Sequence, residues 1–217
     1  MKTAIVIGAT GLVGRALVRL LIDDPRFERV RVFARRGTGV AAPKLEEHLV
    51  DFERLADFGD LIRGDVLFSS LGTTRSQAGS KEAQYRVDHT YQLEFARLAA
   101  ANGVPSYVLV SSAGASAKAM SFYMRMKGEL ERDVAALPFK HIHILQPGFL
   151  AGRRDPPRAG EKIGLAVMNA FGAIGPLRPY RPIEDSTVGR AMIACAFDES
   201  AKLAVHQPGS LFSLGGV

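Results

Sequence analysis

Tyr123 and Lys127 stand four residues apart in a stretch that reads as a helix, so both side chains share one helical face. Eleven residues before the tyrosine comes Ser112, which with Ser111 closes the apolar run SYVLVSS. These residue types can exchange a proton with an alcohol or carbonyl oxygen. A tyrosine hydroxyl, with a pKa of about 10, is a poor base at neutral pH. A neighbouring ammonium favours the phenolate and lowers that value. Tyr123 can then take a proton from an alcohol or give one to a carbonyl, while Ser112 hydrogen-bonds the same oxygen. A Tyr-x-x-x-Lys pair alone is a common accident of composition. Its position directly behind a strand that ends in two serines is what gives it weight.

Such chemistry needs a partner that moves a hydride, and the N-terminus supplies its binding signature. Gly8-Ala9-Thr10-Gly11-Leu12-Val13-Gly14 follows the apolar run TAIVI and opens the first helix. Glycine permits the tight turn and lets a pyrophosphate approach, and the helix N-terminus then offers N–H groups and a favourable dipole. The strand–turn–helix context turns a weak glycine pattern into a dinucleotide site containing Gly8, Thr10, Gly11, Leu12, Val13 and Gly14. The cofactor also oxidises or reduces the substrate carbon, so the protein has only to position it. Lys127 would also hold the nicotinamide ribose hydroxyls.

The second strand chooses between cofactors. An NAD site carries a carboxylate there, about 20 residues beyond the loop, for the ribose 2′-hydroxyl. Here the residues are Phe33-Ala34-Arg35-Arg36. Two guanidinium groups suit a 2′-phosphate, so NADP(H) is preferred and NAD(H) takes second place. Asp51 and Phe52, after the third strand, are placed near the adenine edge; an aspartate there also suits the cap of a following helix.

The elements that must position these residues alternate along the chain. Strands are expected at TAIVI, VRVFA, HLV, DVLFSS, SYVLVSS and HIHIL. Helices are expected from about 15 to 22, 82 to 101 and 122 to 137. Continuous apolar strands alternating with amphipathic helices predict an α/β fold, a doubly wound parallel sheet of Rossmann type. The whole chain, 1–217, reads as one domain, in which residues 151–182, rich in Gly, Pro and Arg, form a small C-terminal substrate lobe. A helical patch is expected at 165–171, a capped helix at EDSTVGRAMIACAF, and a last strand at LFSL.

Taken together, Gly8 to Gly14, Ser112, Tyr123 and Lys127 resemble the short-chain dehydrogenase/reductases, in an atypical branch with a shortened substrate region. Leu71-Gly72-Thr73-Thr74-Arg75 and Met126-Lys127-Gly128-Glu129, with Val87-Asp88 and Gln146-Pro147-Gly148, resemble the Tat-interacting oxidoreductase-like proteins of that branch. The resemblance implies that Leu71, Gly72 and Thr73 border the cofactor ribose, with Ser111 at the same edge. It implies that Pro147, Gly148, Phe149 and Leu150 line the nicotinamide. The substrate it implies is a small carbonyl or alcohol, and a homodimer is compatible with it. Two positions depart from the pattern. Asp88 stands where many relatives carry asparagine, and Gln146 where arginine is commoner. These departures, with the short lobe, support a second reading, a cofactor-binding regulatory or interaction protein with little turnover.

Composition narrows the classes further. Hydrophobic residues are 47% and charged residues 23% of the chain, an ordinary globular balance. The net charge is +6, but the basic residues are scattered and no aromatic-interleaved basic stripe exists, which argues against nucleic acid and for a phosphorylated ligand. No stretch approaches the about 18 apolar residues of a membrane helix. The opening apolar run stops at Gly8, so it reads as a strand, and the expected location is cytoplasmic. Cys195 is the lone cysteine and reads as a small buried thiol. His141 and His143 alternate along one strand without a third ligand nearby in sequence, so no metal is expected. Met120 and Phe122 are placed beside an apolar substrate; Met124 and Met126 cannot share one helix face, so part of the methionine group reads as core or filler. Arg153, Arg154, Arg158, Arg178 and Arg181 read as solvated loop charges, with an acidic substrate as the alternative.

Overall fold

The computed structural model describes residues 1–151 and 180–217. The strands in chain order are β1 (Lys2–Ile7), β2 (Phe27–Ala34), β3 (Leu45–Leu49), β4 (Val66–Ser69), β5 (Ser106–Val110), β6 (His141–Leu145), β7 (Leu150–Ala151), β8 (Ile183–Glu184) and β9 (Leu203–His206). Seven of them form one sheet in the order β3-β2-β1-β4-β5-β6-β9, and every pairing in it is parallel. The order reverses between β1 and β4, the crevice in which open α/β sheets bind ligands. β7 and β8 pair separately, two residues each.

Parallel strands need crossovers, and helices supply them on both faces. They are α1 (Leu12–Asp23), α2 (Arg75–Ala78), α3 (Lys81–Tyr85), α4 (Tyr91–Ala101), α5 (Phe122–Ala135), α6 (Asp185–Cys195) and α7 (Pro208–Leu214). The central strand shows why its sequence is apolar from Ala4 to Ile7. Ala4 and Val6 pack with Leu17 and Leu21 of α1 and with Val188 and Met192 of α6. Ile5 and Ile7 face the opposite way, toward Phe95 of α4 and Leu130 of α5. All four β1 residues are fully buried, and each isoleucine contributes about 1.5–3 kcal/mol by leaving water.

Two elements differ from the sequence expectation. The helix expected over 82 to 101 is interrupted by a π turn, Arg86–Thr90, between α3 and α4. Its wider winding carries Asp88 and His89, both buried. The last strand is not LFSL but Leu203–His206, an edge strand whose residues are only half-buried or exposed. LFSL lies in α7, where Pro208 opens the helix and Leu211 and Phe212 are buried. The helical patch expected at 165–171 lies outside the described residues.

Candidate active site

The β1–α1 turn sits at the point where strand order reverses. Gly8 has φ +82°, and a Cβ there would lie 2.4 Å from Leu71 N and Ser70 C. Only glycine fits both the left-handed backbone and the approach of the chain leaving β4. Gly11 is the N-cap of α1; no described side chain caps it, and no acidic residue occupies the first turn. That end is built to receive an anion. Gly14 has a different task. A Cβ there would lie 2.1 Å from Gly8 O, so this glycine lets α1 pack onto the turn, and it is not part of the cleft lining. Gly14→Ala is expected to cost about 1–3 kcal/mol through overpacking, and urea denaturation of the variant checks this.

Beside the turn lies a cleft of about 1590 Å³. Thr10, Gly11, Leu12 and Val13 line it on one side, and Leu71, Gly72 and Thr73 on another. Arg35 and Arg36 line it too. Sequence reasoning missed Arg15, Arg19, Arg75 and Lys81, which complete a rim of exposed cations. The i, i+4 spacing of Arg15 and Arg19 on α1, just beyond the glycine loop, was the available signal. Among the described residues none of Arg15, Arg19, Arg35 and Arg36 forms an ion pair. Among the described residues that line it, the only carboxylates are Asp88 and Asp185. The rim fits a ligand bearing several phosphates.

Some expected cofactor contacts fall elsewhere. Asp51 is not in the lining; its carboxylate accepts a 2.9 Å hydrogen bond from Glu53 N and caps the 3-10 segment Phe52–Leu61. Phe52, beside it, is buried and lines the cleft. Pro147, Gly148 and Phe149 are absent from the lining, whereas Leu150 is present. Pro147 O accepts from Ala113 N at 2.9 Å, which ties this segment to the loop after β5. Gly148 lies against Tyr180, and Phe149 is exposed.

Tyr123 also lines the cleft, 36% exposed and one turn before Lys127 on α5. Lys127 is 3% exposed and its Nζ lies 3.2 Å from Oδ1 of Asp88, itself 1% exposed. Burial pulls the lysine toward its neutral form, but Asp88, Tyr123 and Glu131 outweigh it, and the net shift is upward. Asp88 also accepts a 2.7 Å hydrogen bond from Thr73 N through Oδ2. One carboxylate thus fixes both the lysine and the loop that borders the cleft. The departure at Asp88 is therefore a buried ion pair.

The two serines divide. Ser111 lines the cleft and donates its hydroxyl to the Glu131 carboxylate. Ser112 is half-buried and does not line the cleft, contrary to the placement expected for a substrate-binding hydroxyl. Successive residues leaving a strand face opposite sides, so only one of the pair can face the crevice. Gln146 donates to both Glu131 oxygens at 3.0 Å and accepts from Gln207 at 2.9 Å, so this second departure is a structural bridge. Of the apolar neighbours, Phe122 lines the cleft, Met120 is 98% exposed and Met126 is buried. Arg181 stacks on the Phe212 ring, 3.6 Å from its centroid, while Arg153, Arg154, Arg158 and Arg178 lie outside the described residues.

Known proteins share this architecture. The semialdehyde dehydrogenase NAD binding domain matches residues 3–87, from β1 into the π turn. "Protein FMP52, mitochondrial" of Candida glabrata is 38% identical over 208 residues, 93% of this chain and 88% of that protein. Its counterpart in Saccharomyces cerevisiae is 38% identical over 206 residues, 93% of this chain and 85% of that one. Among solved structures, MoeE5 in complex with UDP-glucose and NAD superposes with a TM-score of 0.71 at 18% identity, covering 99% of this chain and 81% of its own. UDP-glucose 4-epimerase of Thermotoga maritima with UDP-glucose gives 0.70 at 15%, covering 98% and 81%. At those identities the likeness establishes the fold. The expected cytoplasmic location is corrected by the fungal relatives, which are named as mitochondrial proteins. The opening run is a buried central strand, and a strand carries no information about compartment.

Proposed function

The chain belongs to the family of the FMP52 proteins, and from that premise we propose that it is an NADP(H)-dependent oxidoreductase of the atypical short-chain dehydrogenase/reductase type. The carrying observation is that one cleft joins the glycine turn, the cationic rim and Tyr123 with the buried Lys127–Asp88 pair. The segments Leu71–Arg75 and Met126–Glu129 support a place beside the Tat-interacting oxidoreductase-like branch.

The residues fit a phosphorylated dinucleotide. The glycine turn admits its pyrophosphate at the uncapped end of α1, and Arg35 and Arg36 receive a 2′-phosphate. NADP(H), when bound, supplies or accepts the hydride. The chain's own work is proton transfer and positioning. Tyr123 gives its hydroxyl proton to a small carbonyl oxygen during reduction, or takes one from an alcohol during oxidation. Lys127, held charged by Asp88, stabilises negative charge on the tyrosine oxygen as the proton leaves.

Incubation with NADPH and a panel of small aldehydes and ketones tests this reading through loss of the reduced nicotinamide. Turnover is expected with wild type. Ser111→Ala is expected to slow it more than Ser112→Ala does, because Ser111 is the serine at the cleft. The second reading, a cofactor-binding regulatory protein, is favoured by one observation: the cleft serine is already bonded to Glu131. Tight NADPH binding without turnover on any of the panel would select it.

A further inference from the structure

Away from the cleft, three side chains from different parts of the chain converge beneath the edge of the sheet. His143 lies on β6 and is fully buried, Cys195 ends α6 and is 2% exposed, and His206 ends β9 and is half-buried. His143 Nδ1 lies 3.1 Å from His206 Nε2, and Cys195 Sγ lies 3.5 Å from that same nitrogen. One ligating atom from each falls within 4.8 Å of the other two. None of the three lines the cleft.

We propose that His143, Cys195 and His206 form a binding site for a divalent transition-metal ion of zinc type. The spacing is the first argument. Zinc bonds of 2.0–2.1 Å to nitrogen and 2.3 Å to sulfur, set at tetrahedral angles, separate two nitrogens by about 3.3 Å and a nitrogen from a sulfur by about 3.6 Å. The two short contacts here are close to those edges. The second argument is the outer shell. His143 Nε2 lies 2.8 Å from the carbonyl oxygen of Asp198, so Nε2 carries the hydrogen and Nδ1 is left with its lone pair toward the cluster. A backbone carbonyl behind a ligating histidine is the usual way proteins fix the ring for a metal. The third argument is chemical type: two imidazoles and a thiol suit zinc and exclude magnesium or calcium.

His141, the other strand histidine, takes no part; its Nδ1 meets the carbonyl of Ala201. Burial holds the imidazoles of His143 and His206 below their ordinary pKa, which keeps them neutral and able to ligate. Burial pushes the Cys195 thiol up to about 12, so the metal-free thiol is protonated and inert. Binding therefore balances as follows. The ion displaces the Cys195 thiol proton to solvent, because a coordinating thiol is deprotonated outright. It takes the Nε2 lone pair of His206, whose hydrogen moves to Nδ1 of the same ring. It takes the free Nδ1 of His143 without proton loss. Three protein ligands leave one coordination position for water. An ion so placed joins β6, β9 and α6, and fastens the edge strand to the sheet.

The test is calorimetric titration of chelator-treated full-length protein with Zn²⁺, alongside Mg²⁺, with Co²⁺ absorption as the spectroscopic probe. One Zn²⁺ per chain, release of one proton, no Mg²⁺ binding and a cobalt–thiolate absorption are expected. Cys195→Ala and His206→Gln should each weaken Zn²⁺ at least about tenfold, the scale set by loss of one metal ligand or its support. Both should keep the wild-type circular dichroism and NADPH affinity. Cys195→Ala should lose the cobalt–thiolate band. Substoichiometric Zn²⁺ binding by wild type would overturn the proposal, leaving the cluster as a hydrogen-bonded chain. So would unchanged Zn²⁺ affinity in both variants. If Cys195→Ala loses its fold, His206→Gln on the outer strand decides between these outcomes.

Discussion

Tyr123→Phe is expected to lower turnover by about 10²–10⁴-fold while leaving NADPH affinity unchanged. The range is that of a positioned acid or base removed from a proton-transfer step. The phenyl ring keeps the packing of Tyr123 at the mouth of α5, and the hydroxyl alone is lost. The proposed binding cradle is built from other residues, the β1–α1 turn and the cationic rim, so the nucleotide has no reason to bind less tightly. Single-turnover measurements of NADPH oxidation with saturating aldehyde separate the two effects. Full turnover in the variant would remove Tyr123 from the chemistry.

Asp88→Ala is expected to cost about 3–5 kcal/mol of stability, because it strands the Lys127 ammonium in the interior. It also leaves Thr73 N without its acceptor, loosening the loop that borders the cleft. Asp88→Asn should lose less, since its one amide oxygen can still accept from Lys127 or from Thr73 N, though not from both. The pH dependence has a definite sign. Lys127 has its pKa raised in the folded chain, so the pair's contribution is fully present below the lysine's ordinary value of 10.5. It is lost as pH rises through the folded value. Urea denaturation at neutral pH and above 10.5 should show wild type losing this increment in alkali and Asp88→Ala having none of it to lose.

Much of the fold was legible because its signals are local. A stretch of strand buried on both faces must be apolar throughout, and Ala4 to Ile7 of β1 is. The glycine turn was legible for the same reason, since Gly8 and Gly14 each answer to neighbours within a few residues or to the adjoining strand end. The edge strand β9 was not, because half-buried, short and lightly patterned residues give no periodicity. LFSL resembled a strand only until Pro208 and the burial of Leu211 and Phe212 together made a helix of it.

The site divides in the same way. Tyr123, Lys127, Arg35 and Arg36 were placed by spacing alone, and all four line the cleft. Asp51 was ambiguous between ligand and cap, and the hydrogen bond to Glu53 N makes it a cap. Ser111 and Ser112 differ by one position, and a one-residue change of parity at a strand end is invisible in sequence. The Asp88–Lys127 pair and the meeting of His143 with His206, 63 residues apart, are tertiary facts. No local pattern encodes them.

The most direct test of the central claim is calorimetric titration of NADPH and NADH against wild type and an Arg35→Ala, Arg36→Ala double variant. Charge-assisted hydrogen bonds to a phosphate are worth about 1.5–3 kcal/mol, or roughly ten- to a hundredfold in affinity. Wild type is therefore expected to prefer NADPH by that factor, and the variant to bind both nucleotides at the NADH level. Absence of binding by either nucleotide to wild type would contradict the dinucleotide site and the oxidoreductase reading with it.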